Sequence, residues 1–103
     1  MNVIWDPRAT RGKQDVANYI RRRFGDDRRD VFLLHVRETT QMLKSHPNLG
    51  PVEPLLADRP TTYRSVVIDG LSKLVYFIED DVIYIAAFWD TRREPKNQAA
   101  QAK

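Results

Sequence analysis

Three cations near the end of the chain are of the types that hold a phosphate. Lys73 opens one apolar run, KLVYFIE, and Arg92 and Arg93 follow the next, VIYIAAFW. In adjacent antiparallel strands the start of one lies beside the end of the next, which brings Lys73 to Arg92 or Arg93. Cations fixed on a rigid sheet position a phosphate and stabilise charge that develops on a transferring phosphoryl group. Arg64, on the preceding run, extends the cluster. The competing reading makes these ordinary surface charges with local partners, Asp90 and Glu94 among them.

Other residue types offer less. His35 and His46 are the only imidazoles, so they alone have ordinary titration near neutral pH. His35 falls on the apolar flank of a helix, three residues after Phe32, and reads as a packed, hydrogen-bonded core histidine. His46, beside Pro47, reads as a cation at a helix end. Two histidines with no carboxylate pattern make no metal site, and no cofactor is expected. Tyr63, Tyr76, Tyr84, Phe88 and Trp89 alternate along the strands. Most of them must fill a core, but Tyr84 is a candidate for substrate contact, because aromatic rings on an open sheet face stack bases. There is no Gly-rich phosphate loop and no serine set as a nucleophile. Arg21, Arg22, Arg23, Arg28 and Arg29 are interleaved with Asp26, Asp27 and Asp30, a pattern that reads as ion pairing on a solvated surface.

The elements that position these residues follow from periodicity and turn chemistry. Val3 to Trp5 is a short strand. Asp6-Pro7 starts a helix over 7–24, in which Ala9, Val16, Tyr19, Ile20 and Phe24 share a face. Gly25 ends it with a left-handed cap, and Asp26 and Asp27 start a second helix that runs to Lys44 or Ser45, with Phe32, Val36, Thr39 and Leu43 as its stripe. The short link makes an antiparallel helix hairpin. Four of the six prolines lie in 45–62, an irregular connector pinned by Val52, Leu55 and Leu56. Three strands follow, 63–69, 73–79 and 82–89, joined by turns at Asp69-Gly70 and Asp80-Asp81. The result is one α+β domain over 1–95, ordered β-α-α-β-β-β. Its helix hairpin packs on an antiparallel β-meander, and a polar tail occupies 96–103. With one sheet face covered by helices, the other is expected to be the working surface.

The totals fit such a domain. The chain has 103 residues, 42% hydrophobic and 30% charged, and no cysteine, so disulfides and thiolate metal sites are excluded. No apolar run is long enough to cross a membrane, and the N-terminus turns polar too early for a signal peptide, so a cytoplasmic location is expected. The net charge is +3. Residues 1–30 hold eight Lys/Arg against five Asp/Glu, and residues 89–103 hold four against two, whereas the middle is slightly acidic. Positive ends favour an anionic partner such as nucleic acid or an acidic protein segment.

A strand ending in WDPRA, a helix closing on YIRRRFG, a second closing on LKSHPNLG and the stretch YRSVVIDGLSKLVYFIEDDVIYIAAFWDTRREP together resemble the RelE/ParE superfamily of toxins, over about residues 3 to 95. These are the toxin halves of bacterial type II toxin–antitoxin modules, of the plasmid stabilisation type. The resemblance implies a cognate antitoxin partner and growth inhibition by ribosome-dependent mRNA cleavage. It places function on Lys73 and Arg92, or Arg93 in the other register. That chemistry joins a 2′-hydroxyl to the adjacent phosphate and needs proton transfer as well as cations. Nuclease members usually carry a histidine or tyrosine near the C-terminus; here nothing aromatic follows Trp89 and no histidine follows His46. The alternative implied by the resemblance is a DNA gyrase inhibitor without catalytic activity. A third is a degenerate, non-toxic module that keeps its antitoxin.

Overall fold

The first helix, α1 (Pro7–Phe24), starts where Asp6-Pro7 requires. The Asp6 carboxylate accepts from the Arg8 backbone N–H at 2.8 Å, and Pro7 occupies a first-turn position where no donor is missed. The Asp6 N–H donates to the Ile85 carbonyl at 2.9 Å, which ties the helix start to the sheet. Gly25 ends α1 by donating to the Arg21 carbonyl at 2.9 Å. Its φ of 95° and ψ of 175° lie outside the expected left-handed helical cap and in a region open only to glycine. The chain therefore turns sharply and α2 (Asp26–Ser45) begins at once. The structure is a computed structural model that describes residues 1–91.

Four strands form one sheet: β1 (Asn2–Trp5), β2 (Arg64–Ile68), β3 (Ser72–Glu79) and β4 (Val82–Asp90), in spatial order β1-β4-β3-β2. The β-α-α-β-β-β order and the antiparallel meander β2-β3-β4 are as expected from the sequence. The sheet is nonetheless mixed, because β1 adds in parallel to β4, with Val3 opposite Ile83 and Trp5 opposite Ile85. That addition makes β4 an internal strand, and Ile83 and Ile85 to Trp89 are all buried. The β3–β4 link is a two-residue turn in which Asp80 and Asp81 both take positive φ, 53° and 61°. Their short polar side chains tolerate the mirror-image turn that matches strand twist.

A bulge decides which side of β4 each aromatic faces. Val75 pairs with Ala87 but Tyr76 pairs with Ile85, so Ala86 is an extra residue on β4. Before it, Ile83 and Ile85 pack under the helices; after it, Phe88 does, and Trp89 joins the opposite face. One inserted residue reverses the alternation. Under the helices, Phe88 meets Phe32 edge-on at 5.9 Å and Trp5 in a stack at 6.3 Å. α1 lies so close to β4 that a Cβ on Gly12 would overlap the Phe88 carbonyl.

Two expected core residues are not in the core. Phe24, the last residue of α1, is 51% exposed. His35 is half-exposed, and its Nδ1 lies 2.7 Å from Asp69 Oδ1, so it clasps α2 to the β2–β3 turn. The polar tail expected at 96–103 lies outside the described residues. Among those described, no helix is long and apolar enough to cross a membrane.

Candidate functional site

The register of β3 and β4 fixes where Lys73 lies. Lys73 pairs with Trp89 and Ser72 with Asp90, so the start of β3 does lie beside the end of β4. Arg92 and Arg93 lie outside the described residues.

The surroundings of Lys73 differ from a free cation on an open face. The connector crosses that face of the sheet, contrary to the expectation of an uncovered working surface. Its short 3-10 turn, Pro54–Leu56, buries Leu56 with Tyr63, Val75, Ala87 and Trp89 in a second apolar cluster. Each large side chain so buried contributes about 1.5–3 kcal/mol. A meander with alternating apolar residues has two apolar faces here, and the helix hairpin can cover only one.

The same connector carries Glu53 into the cluster, where it is fully buried. Its carboxylate accepts from Lys73 Nζ at 2.6 and 3.1 Å and from the Ser65 hydroxyl at 3.1 Å. The Glu53 backbone N–H donates to the Tyr63 carbonyl at 2.8 Å and fixes the position of the carboxylate. Burying a carboxylate is tolerated only with such a counter-charge and hydrogen bonds. Lys73 is itself 22% exposed, with its ammonium 5.9 Å from the Trp89 ring centre. Lys73 is thus a neutralised cation under a strap, with a narrow opening to water.

The remaining predicted residues separate. Arg64 is turned to the connector, donating to the Gly50 carbonyl at 2.9 Å. Tyr84 stays half-buried at the far end of the same face, stacked on Phe77 at 5.1 Å. Tyr63 meets Phe77 edge-on at 5.6 Å, so an aromatic row runs across the strands. Tyr76 faces the helix side and is fully buried. Its hydroxyl donates to the Pro47 carbonyl at 2.7 Å and accepts from the Gly50 N–H at 3.0 Å. Burial pushes its ionisation upward, against the opposing effects of Gly50 and Arg64. Tyr76 anchors the connector. No group of three or more metal-ligating side chains occurs among the described residues.

Sequence reasoning missed Glu53. One signal was present: a single acid in Pro51-Val52-Glu53-Pro54, inside a segment otherwise anchored by apolar residues. An acid there faces either water or a buried cation, and Lys73 is the nearest basic residue on the strands that follow Arg64.

The sequence profile described as ParE toxin of type II toxin-antitoxin system, parDE, matches residues 3–95. The chain belongs to this ParE toxin family. A solved chain from the chromosomal ParDE TA system of P. aeruginosa has the same fold, with a TM-score of 0.71 and 14% sequence identity. The match covers 87% of this chain and 95% of that one. No curated protein matches the sequence. The ParE family assignment agrees with the β-α-α-β-β-β order and with the parallel addition of β1 beside the last strand.

Proposed function

We propose that this ParE-family chain is the toxin of a type II toxin–antitoxin module, held inactive by a cognate antitoxin, and that it acts by binding its target without cutting RNA. DNA gyrase is the target this branch of the superfamily implies, and a cytoplasmic location belongs to the same reading. The observation that carries it is the Lys73–Glu53 pair. The cation expected to stabilise a cleaved phosphate is already neutralised by a buried carboxylate at 2.6 Å. The tyrosine next along β3 on the helix side, Tyr76, spends its hydroxyl on the connector backbone. An antitoxin partner is supported by the solved relative, which comes from a ParDE TA system.

Ribosome-dependent mRNA cleavage is the second reading. It is favoured by the register, which sets Lys73 across from Trp89, three residues before Arg92. Induced expression with and without the antitoxin separates the readings. Growth arrest with DNA breaks and intact ribosome-bound mRNA is expected. Cleaved mRNA with intact DNA would overturn the binding mechanism. Unchanged growth would leave only the degenerate, antitoxin-binding module.

A further inference from the structure

We propose that the tip of the helix hairpin binds single-stranded nucleic acid, with phosphates on Arg21, Arg22 and Arg23 and one unstacked base in the groove beside Phe24.

The ion pairing expected of the hairpin arginines is only partly made. Arg29 pairs with Asp26 at 3.6 Å and with Asp30 at 3.1 Å. Arg21, Arg22 and Arg23 are exposed and have no ion pair among the described residues. The reason is in the sequence. The positions three and four residues before them on α1 are Ala17, Asn18, Tyr19 and Ile20, none of them acidic. Successive helical residues are set about 100° apart, so these three side chains fan over about 200° of the end of α1. A favourable helix dipole accounts for cations here, but not for the aromatic beside them.

Phe24 is half-exposed at that tip, and the Arg28 guanidinium sits 5.3 Å from its ring centre. The two border a groove of about 340 Å³ with apolar walls from Ile20, Val31 and Phe32. The solvent-exposed His35–Asp69 pair also lines the groove. Its size falls in the small-ligand range. An apolar slot with an aromatic and an arginine at its mouth suits the π-face of a base, and donor and acceptor groups within it suit the base edge. The acids nearby are mostly committed: Asp26 and Asp30 to Arg29, and Asp69 to His35. An acidic peptide would use the same arginines, but its small amide planes cover the Phe24 ring and the apolar walls less well than the flat face of a base. This inference stands apart from the toxin's target.

The test is fluorescence anisotropy of the full chain with a labelled, mixed-sequence DNA single strand of about 12 nucleotides, titrated from about 50 to 200 mM salt. Binding is expected to weaken steeply with salt. R21A/R22A/R23A is expected to weaken it about tenfold or more at low salt and to flatten the salt slope, because each lost phosphate contact releases fewer ions. F24A is expected to weaken it several-fold without changing the slope. Circular dichroism checks that both variants keep the fold. No binding at low salt would overturn the proposal. So would affinity untouched by the arginine changes, an F24A variant that binds like the parent, or equal affinity for the duplex or for an acidic peptide of similar length.

Discussion

The ammonium of Lys73 and the carboxylate of Glu53 meet at 2.6 Å, joining the start of β3 to a connector twenty residues earlier in the chain. Glu53 is fully buried while Lys73 keeps an opening to water, so the two ends of the pair are not equivalent. Lys73→Ala strands a buried carboxylate and is expected to cost about 3–5 kcal/mol. Glu53→Ala leaves a lysine that can still reach water and is expected to cost less. The combined Lys73→Met, Glu53→Gln variant should recover much of the loss, because Ser65 still has a partner. Urea unfolding of the four proteins checks this order. Equal costs for the two alanine variants would show that burial does not govern the pair. Any loss of toxicity on changing Lys73 must therefore be read beside its stability.

Tyr76 holds the other end of the connector. Tyr76→Phe leaves the Pro47 carbonyl and the Gly50 N–H without their partner and is expected to cost about 1–3 kcal/mol. The raised ionisation of Tyr76 sets a pH dependence as well. The folded state prefers the neutral phenol, so its contribution is full below the unfolded tyrosine value of about 10. It is lost as pH rises from there through the raised folded value. Stability of the parent chain should fall more steeply above about pH 10 than that of Tyr76→Phe. Parallel curves in alkaline denaturant melts would count against the assignment.

Gly12 sets the distance between α1 and β4. Gly12→Ala gains helix propensity of about 1 kcal/mol, yet its Cβ would overlap the Phe88 carbonyl, which is backbone and cannot rotate away. Overpacking of this kind costs about 1–3 kcal/mol, so a net loss in melting temperature is expected. A rise in melting temperature would mean that α1 can lift off the sheet at little cost.

Asp81 sits at φ 61° in the second position of the β3–β4 turn. Asp81→Gly keeps the Asp-Gly sequence favoured in such turns and removes one of two adjacent negative charges. It is expected to stabilise by about 0.5–1 kcal/mol. A calorimetric melt that shows a lower midpoint would indicate that the carboxylate makes a contact worth more than the strain.

The sequence by itself determined the elements and the place where they would meet. Asp6-Pro7, Gly25, Asp69-Gly70 and Asp80-Asp81 are local instructions, carried out by hydrogen bonds and backbone sterics within a few residues. For that reason α1 spans Pro7–Phe24 as the periodicity indicates. The juxtaposition of Lys73 with the end of β4 was legible too, since antiparallel neighbours leave no other arrangement. The tertiary structure decided what surrounds Lys73. Ala86 inserts one residue into β4 and sends Trp89 to the second face, where the connector closes over it with Leu56 and delivers Glu53. The lodging of His35 against Asp69 depends equally on where α2 meets the β2–β3 turn. These outcomes turn on contacts between segments distant in the chain, and no local pattern in the sequence carries them. Their physical cause is shared: two apolar sheet faces need two covers, and only the packed chain shows which residues each cover brings.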